Sequence, residues 1–447
     1  MGHTEPQVHA APTAVTGSKA EFWMPFTSNR DFKADPKMVV RAEGMYYYTE
    51  SGRKIIDASS GLFCVNAGHA RKEITEAVAK QLAELDFVPP FMRGHPKSFA
   101  LAERVAQLTP GDLKRIFFVN SGSEAIDTAM KIALAYHQAR GQAGRTMFVS
   151  RERAYHGVNF GGVALSGIVN NRRKFGPGLH VAHMRHTHVK ENYFVRGQGE
   201  HGADLADDLL RFVNLYGAEN IAACFVEPIA GSSGCLVPPK GYLDRLRAIC
   251  SEHGILLVFD EVITGFGRLG QPFGAQRFGV TPDMICFAKI VTNGVVPMGG
   301  VIVKPAIYEA FMTGPDTAVE LFHGYTYSGH PVAAAAAHAT LDALEAEDAF
   351  GRARELEPVL ERGMHSLKGE PGIADIRNIG LAAAVELDPF PGRPGARALK
   401  VFERGIEEGM LFRFTGETVA VAPPYISTKA EIEAMVEKLR VSIRAAA

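Results

Sequence analysis

Short apolar segments alternate with segments of helical periodicity through the middle of the chain, and this pattern constrains the fold most. The six predicted strands are Ile116–Val119, Thr146–Ser150, Ala222–Val226, Leu256–Asp260, Met284–Ala288 and Gly300–Val303. The predicted helices between them are roughly Glu124–Arg140, Leu205–Leu215 and Tyr242–His253. Alternating strands and helices indicate an α/β fold with a mainly parallel sheet. Because the strands are almost continuously apolar, we expect both faces of that sheet to be covered.

The pattern changes after about residue 328, which predicts a smaller α+β domain. Its predicted elements are an Ala-rich helix from Pro331, an amphipathic helix at Leu356–Leu367, a strand at Ala382–Leu387, a turn-rich stretch at Asp388–Gly395, a helix at Ala396–Glu408, a strand pair near Leu411–Val421 and a final helix. Met45–Tyr48 and Lys54–Ile56 predict a hairpin that contributes to this domain. We therefore expect a flexible tail at residues 1–20, an N-terminal segment at 21–60 that packs with the small domain, a large domain at 61–328 and the small domain at 329–447.

Composition argues against several classes of protein. The formal net charge of −1 lacks the basic excess of a nucleic-acid-binding protein. No run of about 18 apolar residues is present, so we expect no transmembrane helix, and residues 1–20 lack the apolar core of a signal peptide. The five cysteines are scattered and form no CxxC pair, which favours a reducing compartment over a disulfide framework. We expect a cytoplasmic protein that binds neither membranes nor nucleic acids.

Two further motifs point to other kinds of site. Gly265–Gly270 matches GxGxxG and follows a predicted strand, as a dinucleotide-binding motif does. Residues 271–274 then interrupt the helix that such a motif needs, and no acidic residue follows at the expected distance of about 20 residues. His183, His186 and His188 lie close in sequence, but no Cys or Asp stands at zinc spacing beside them. We predict no metal site and interpret these histidines as part of a loop.

Four segments at the ends of predicted strands carry the chemistry. Asn120–Glu124 offers backbone N–H groups and two hydroxyls to a phosphate, although an ordinary helix cap has the same residues. Asp260 ends a strand where α/β sheets usually bind ligands. Lys289 ends the next strand; desolvation there would lower its pKa and free its amine for Schiff-base chemistry, whereas a lysine taken alone more often reaches the surface. Tyr155 could stack on a planar ring or belong to the core. Together these groups match what pyridoxal phosphate requires.

In these residues and their order, the chain resembles the class III (ω-) aminotransferases of PLP fold type I, most closely the β-alanine/ω-amino acid:pyruvate branch. The resemblance covers nearly the whole chain after about residue 20. The segments that carry it are Trp23–Thr27, Asn120–Ala125, Tyr155–Gly157, Glu227–Gly231, Asp260–Arg268, Ala288–Lys289, Thr292–Gly294 and His323–Ser328. It implies a large domain with a mainly parallel seven-stranded sheet, and a smaller α+β domain.

The resemblance also implies a role for each matching residue. Lys289 would hold pyridoxal 5′-phosphate as a Schiff base and move the proton during catalysis, while Asp260 would pair with the ring nitrogen. Val262 and Tyr155 would pack on the two faces of the ring. The other implied cofactor-binding residues are Ser121, Gly122, Ser123, His156, Glu227 and, from the neighbouring subunit of a homodimer with shared active sites, Thr326.

The resemblance places Trp23, Phe63, Tyr155, Arg413 and Ala420 in the substrate pocket, with Arg413 binding the substrate carboxylate. The closest members of that branch carry Trp where this chain has Phe63, and Gln where it has Ala420. Phe63 keeps an aromatic wall but has less bulk and no N–H donor, and Ala420 removes a hydrogen-bonding partner. We therefore expect a roomier, more apolar pocket without a strict preference for β-alanine.

The implied reaction is a ping-pong transamination from an ω-amino acid or primary amine to pyruvate, which gives L-alanine and an aldehyde or ketone. The same cofactor site also suits a decarboxylase or an aminomutase, and the products would distinguish them. An NAD-dependent oxidoreductase that uses Gly265–Gly270 ranks behind these. A non-catalytic regulator also ranks behind, because the chain lacks a basic module for DNA.

Overall fold

The computed structural model describes residues 19–176 and 178–447. The predicted tail at residues 1–20 lies almost wholly outside the described residues. The strands are β1 (Val39–Glu43), β2 (Tyr46–Thr49), β3 (Lys54–Asp57), β4 (Arg115–Val119), β5 (Met147–Arg151), β6 (Val181–Met184), β7 (Ile221–Val226), β8 (Leu256–Asp260), β9 (Met284–Ala288), β10 (Gly299–Val303), β11 (Ile373–Ile379), β12 (Ala382–Leu387), β13 (Met410–Leu411), β14 (Arg413–Thr415) and β15 (Thr418–Val421).

The helices vary from single turns to five turns in length. They are α1 (Asn29–Ala34), α2 (Ser60–Phe63), α3 (Lys72–Glu84), α4 (Pro96–Leu108), α5 (Gly122–Ala139), α6 (Phe160–Leu165), α7 (Val169–Arg172), α8 (Asp208–Tyr216), α9 (Tyr242–His253), α10 (Gly274–Phe278), α11 (Pro305–Glu309), α12 (Pro331–Ala346), α13 (Ala349–His365), α14 (Ala396–Glu407) and α15 (Lys429–Ala445). In the described part of the chain, no helix is long and apolar enough to cross a membrane.

A seven-stranded sheet forms the centre of the fold, with the strand order β4-β10-β9-β8-β7-β5-β6. Strand β10 runs antiparallel to β4 and β9, and the other neighbours pair in parallel. Every residue of β5, β7, β8, β9 and β10 is buried, because helices such as α5 and α9 pack against the sheet. The predicted α/β class with a mainly parallel, covered sheet is confirmed.

The edge strand β6 corrects one prediction. Its residues Val181–Met184 include His183, which we expected in a loop. They are only partly buried apart from Met184, as suits the last strand of a sheet. An edge strand needs apolar side chains on one face only, so its sequence lacks the continuous apolar run that marked the central strands.

Two four-stranded sheets flank the central one. The first has the order β1-β2-β3-β13 and contains the predicted hairpin as β2 and β3. The second, which we call the C-terminal sheet, has the order β11-β12-β15-β14. The predicted pair near Leu411–Val421 is β14 and β15, whereas β13 joins β3 in the first sheet instead. The elements that were not predicted are strands β1, β6 and β11 and helices α1, α2, α3, α4, α6, α7, α10 and α11.

The helix α5 begins two residues before its predicted start, directly after its N-cap residue. Ser121 is the N-cap residue, and its Oγ accepts the backbone N–H of Glu124 at 3.2 Å. Glu124 Oε2 in turn accepts the backbone N–H of Asn120 at 2.7 Å. These reciprocal hydrogen bonds satisfy two donors at the helix start. They leave the N–H groups of Gly122 and Ser123 without a partner in the described part of the chain.

Candidate active site

Three adjacent parallel strands end at one cavity of about 910 Å³. Strand β7 is followed by Glu227, β8 ends in Asp260, and β9 is followed by Lys289. The carboxyl ends of parallel strands form the usual ligand crevice of an open α/β sheet. The sequence-predicted residues that line this cavity are Phe63, Ser121, Gly122, Ser123, Tyr155, His156, Glu227, Asp260, Val262, Lys289 and Arg413. The fold therefore brings together groups that lie hundreds of residues apart in sequence.

Lys289 presents an amine to the cavity from a strained backbone position. Its φ of +55° lies in the left-handed region, at the start of one turn of 3-10 helix that follows β9. Such strain occurs mainly where function requires it. Desolvation lowers the pKa of Lys289, while the nearby Asp260 and Glu227 carboxylates oppose the shift. The amine makes no hydrogen bond or ion pair with any described residue, and it lies 6.0 Å from the ring centre of Phe63.

Asp260 is fixed as an acceptor for a cationic partner in the cavity. Its Oδ2 lies 2.8 Å from His156 Nδ1, and its Oδ1 accepts the backbone N–H of Val262 at 3.1 Å. His156 is buried, and its Nε2 has no protein partner among the described residues. In this position His156 orients the carboxylate of Asp260, as the hydrogen-bond partners of functional side chains commonly do.

The start of α5, which we call the anion site after the groups it presents, lies on another wall of the cavity. Ser121, Gly122 and Ser123 contribute hydroxyls and free backbone N–H groups at the positive end of the helix dipole. Ser123 Oγ accepts the backbone N–H of Val158 at 3.1 Å, which ties the site to the turn after Tyr155. A Cβ at Gly157 would lie 2.5 Å from Ser123 Oγ, so a larger residue there would clash with the anion site.

Glu227 joins two segments of the cavity wall. Its Oε1 accepts the backbone N–H of Tyr155 at 3.0 Å, and its Oε2 accepts that of Gly231 at 3.2 Å. Burial raises the pKa of Glu227 to about 7. Burial likewise raises the pKa of Tyr155, so its phenol is neutral at physiological pH and offers a flat aromatic face. Glu227 thus lines the cavity with the other predicted residues, and its two backbone partners could not be foreseen from sequence.

Arg413 brings an unpaired positive charge to the cavity. It begins β14 and faces the cavity together with Phe412, Phe414 and Phe402. It forms no ion pair within the described part of the chain. Arg413 is an exposed residue, but desolvation by the surrounding cavity wall lowers the pKa of its guanidinium, which remains charged because the unshifted value is so high. The aromatic residues around it were not singled out from sequence, since three phenylalanines in a strand and a helix are typical of an ordinary core.

Three predicted residues lie elsewhere in the described chain. Trp23 is 87% exposed and does not line the cavity, whereas the nearby Phe26 does. Thr326 is exposed on the loop before α12. Ala420 is buried on β15, where it lines a second, much smaller cavity that shares Phe63 with the first.

The two competing motifs have other surroundings. After β8 the chain forms turns, and α10 begins only at Gly274, so Gly265–Gly270 does not lead into a helix. Among the predicted histidines, His183 lies in β6, and His188 contacts Asp375 Oδ2 at 3.0 Å. No group of three or more metal-ligating side chains occurs among residues 19–176 and 178–447.

The chain is similar to known aminotransferases along almost its whole length. The family described as aminotransferase class-III matches residues 28–443. An omega-aminotransferase of Caulobacter vibrioides is 56% identical over 94% of this chain and 96% of its own. A beta-alanine–pyruvate aminotransferase of Pseudomonas aeruginosa is 48% identical over 95% of each chain. The solved structure of the omega transaminase from Pseudomonas jessenii in complex with PMP superposes with a TM-score of 0.90 at 32% identity, covering 95% of this chain and 96% of that one.

Proposed function

Because the chain belongs to the class-III aminotransferase family, we propose that it transfers an amino group to pyruvate from an ω-amino acid of the β-alanine type or from a primary amine. The products are L-alanine and an aldehyde or ketone. One observation carries this proposal: a lysine amine, an oriented carboxylate, an anion site and an unpaired arginine all face one cavity.

The family uses pyridoxal 5′-phosphate, and the cavity fits it. The start of α5 would hold the phosphate, and Asp260 would pair with the ring nitrogen, with Val262 and Tyr155 on either side of the ring. The orphaned donors at Gly122 and Ser123 support this fit, because free N–H groups at a helix start favour a phosphate. When bound, this cofactor supplies an electron sink that stabilises negative charge on the amine-bearing carbon.

The amine of Lys289 is suited to move a proton at that carbon. A lowered pKa increases the share of neutral amine, which takes the proton from the donor's amine-bearing carbon. In the second half of the reaction the protonated amine returns a proton to the carbon that becomes Cα of alanine. His156 and Val262 keep Asp260 oriented through both halves.

Arg413 is suited to bind the carboxylate of pyruvate. Its guanidinium is unpaired among the described residues and lies in a largely aromatic wall, where a charge-assisted pair is strong. We infer that Arg413 moves aside for donors that present an apolar chain. Structures with a carboxylate and with an apolar amine would show one unchanged Arg413 position if this inference is wrong.

The proposal includes a homodimer with shared active sites. Thr326 would reach the phosphate bound in the partner subunit, as the sequence resemblance implies. Its exposure in the single chain supports this assignment. A cytoplasmic location and the pairing of dimers into tetramers stay predictions.

The visible absorption spectrum tests the proposed reaction. The purified protein should show a visible absorption band from its cofactor. The band should disappear when β-alanine or an arylalkyl amine is added and return when pyruvate is added. Lys289→Ala should bind the cofactor but lose turnover by about a thousandfold or more, since it removes both the covalent link and the proton carrier. Release of carbon dioxide, or an isomerised amino acid without alanine, would identify a decarboxylase or an aminomutase instead.

A further inference from the structure

A buried ionic cluster lies outside the cavity and joins the C-terminal sheet to the cavity wall. Its members are Asp375 and Arg377 on β11, Glu386 on β12, and His188 and Arg153 from loops of the central sheet. The side chain of Asp375 is wholly buried, and those of Arg377 and His188 are almost so. Buried charges persist only where each one is paired. The proposed reaction uses none of these groups.

Arg377 holds the loop that carries Ser232 into the cavity wall. Its Nε and Nη2 both donate to the carbonyl of Gly234, at 3.1 and 3.0 Å. Its Nη1 pairs with Asp375 at 2.7 Å and with Glu386 at 2.8 Å. The planar guanidinium can serve all these partners at once, which a lysine ammonium cannot do.

Asp375 holds a second loop through His188. His188 Nε2 lies 3.0 Å from Asp375 Oδ2, and His188 Nδ1 lies 3.2 Å from Arg153 Nη1. Burial disfavours the charge of Asp375, but the hydrogen bond with His188 and the charge of Arg377 outweigh it and lower its pKa to about 2. The carboxylate therefore stays ionised at neutral pH and keeps its partners in place.

The two loops meet beside Tyr155. Ser233 Oγ donates to the carbonyl of Arg153, which lies two residues before Tyr155. Arg153 has a φ of +61°, so its backbone conformation depends on such contacts. A closed ring of interactions thus runs from Arg377 through Gly234, Ser233 and Arg153 back to the cluster.

The C-terminal sheet links this cluster to the arginine in the cavity. Its strand order is β11-β12-β15-β14, so Arg377 lies on one edge strand and Arg413 begins the other. Strands within a sheet move together because continuous hydrogen bonds join them. A clamp at β11 therefore also sets the position of β14 relative to the cavity wall.

We propose that Arg377 is a positioning residue for the carboxylate-bearing substrate. By clamping β11 to the loop at residues 231–234, it sets the separation between Arg413 and the wall that holds Tyr155. The proposal rests on the proposed function, because it needs Arg413 as the carboxylate site. Misplacing a binding group by about 1 Å is enough to cost up to roughly a hundredfold in rate.

Steady-state kinetics of Arg377→Lys and Arg377→Gln test this role. Arg377→Lys keeps a charge for Asp375 and Glu386 but loses the paired hydrogen bonds to Gly234. We expect the KM for pyruvate to rise about tenfold in Arg377→Lys and further in Arg377→Gln. The KM for an amine without a carboxylate and the cofactor's visible spectrum should stay unchanged. Arg362→Gln, at an exposed arginine of α13, is the matched control.

If the Arg377 variants raise the KM for pyruvate and the KM for the amine alike, and also lower the melting temperature, the role of Arg377 is merely structural and the proposal is overturned. His188→Gln is a second variant that leaves Arg377 intact, and it should raise the pyruvate KM selectively but less. Arg413→Ala separates this proposal from the proposed function. If Arg413→Ala leaves the pyruvate KM unchanged, the carboxylate assignment fails; if only the Arg413 variant raises it, the role of Arg377 alone fails.

Discussion

At the scale of single residues, the side chains proposed to react and the side chains proposed to recognise the substrate come from different parts of the fold. Asp260 ends one strand of the central sheet and Lys289 follows the neighbouring strand, and every residue of both strands is buried. Arg413 and Phe63 come from elements outside that sheet. Under the proposed function, the reacting groups are thus built on the central sheet, whereas the groups that recognise the substrate come from elements outside it.

Substrate size is the property that we expect Phe63 to set. Phe63 lines both the large cavity and the small one behind it, so its bulk separates the two spaces. Phe63→Trp should fill this space and lower kcat/KM for an arylalkyl amine about tenfold relative to β-alanine, since small volume changes in apolar pockets have effects of this size.

The control for this prediction is Phe175→Trp, at an exposed phenylalanine. Competition assays with both donors directly measure the ratio of the kcat/KM values for the arylalkyl amine and for β-alanine, free of errors in enzyme concentration. An unchanged ratio in Phe63→Trp would mean that the donor's side chain does not reach Phe63.

At the scale of elements, the predictability of a segment follows its burial. Strands β8 and β9 were predicted to the residue, because full burial on both faces leaves an unbroken apolar run. Strand β11 was missed because its buried residues include Asp375, Arg377 and Asn378, which look like surface residues in sequence. Their burial depends on partners such as His188, far away in the chain, and pairing of that kind leaves no local signal.

The same contrast between residues with and without a local sequence signal holds within the candidate site. Lys289, Asp260 and the anion site follow strand ends, so pattern and resemblance together located them. The hydrogen bonds of Glu227 to Tyr155 and Gly231 depend on how three loops meet, which periodicity does not encode. Phe26 lines the cavity where Trp23 was expected, although both side chains are largely exposed in the single chain. Which residue of the segment at 23–27 lines the cavity depends on the fold of that segment, which periodicity does not encode.

The segment between β8 and α10 depends on one buried carboxyl group. Glu261 accepts the N–H of Ala275 at 2.8 Å, the hydroxyl of Thr264 at 2.8 Å and the N–H of Gly274. Burial raises the pKa of Glu261 to about 7, although these hydrogen bonds oppose the shift. Because Asp260 and Val262 adjoin Glu261, this segment also supports the cofactor site.

The contribution of Glu261 to stability should therefore fall as pH rises from about 5 to about 7. In that range the folded protein keeps a proton on Glu261 that the unfolded chain, with a pKa near 4.5, has released. The folded state binds more protons, so each rise in pH lowers the free energy of unfolding, by up to about 1.4 kcal/mol per pH unit. Above about pH 7 the loss is complete and the contribution of Glu261 becomes constant.

Melting temperatures of the holoenzyme between pH 5 and pH 8, at one heating rate, measure this effect. Glu261→Gln should be less stable at low pH but should lose less stability as pH rises. Glu227, whose pKa is raised for the same reason, adds a slope of the same sign, and six histidines whose pKa values burial lowers add slopes of the opposite sign. The test is therefore the difference in slope between Glu261→Gln and the unaltered protein. Glu252→Gln, at an exposed position, should keep the slope of the unaltered protein. Equal slopes in all three proteins would contradict the assigned pKa.

At the scale of the whole molecule, exposed apolar side chains mark a surface that a single chain leaves uncovered. Phe322, Met92 and Trp23 are each at least 87% exposed, and Phe91 and Val319 are also exposed. Monomeric proteins rarely leave so many large apolar groups in water. Two of these residues, Val319 and Phe322, precede Thr326, which the proposed dimer uses. This exposure supports a homodimer in which each subunit completes the other's site.

Mixing two variant subunits tests whether Thr326 acts across the dimer. Thr326→Ala should weaken cofactor binding about tenfold, since it removes one hydrogen bond to a charged phosphate. Lys289→Ala abolishes turnover in its own cavity. A mixed dimer would contain one site with both changes and one site with neither, because the unaltered Lys289 would then meet the unaltered Thr326 of the other chain.

Unfolding and refolding the two variants together should restore normal cofactor affinity and activity to about a quarter of all sites. If Thr326 served its own subunit, every active site in the mixture would keep the weakened affinity, and no normal site would form. The tenfold gap in affinity separates these outcomes in a cofactor titration followed by activity, with each variant refolded alone as the control.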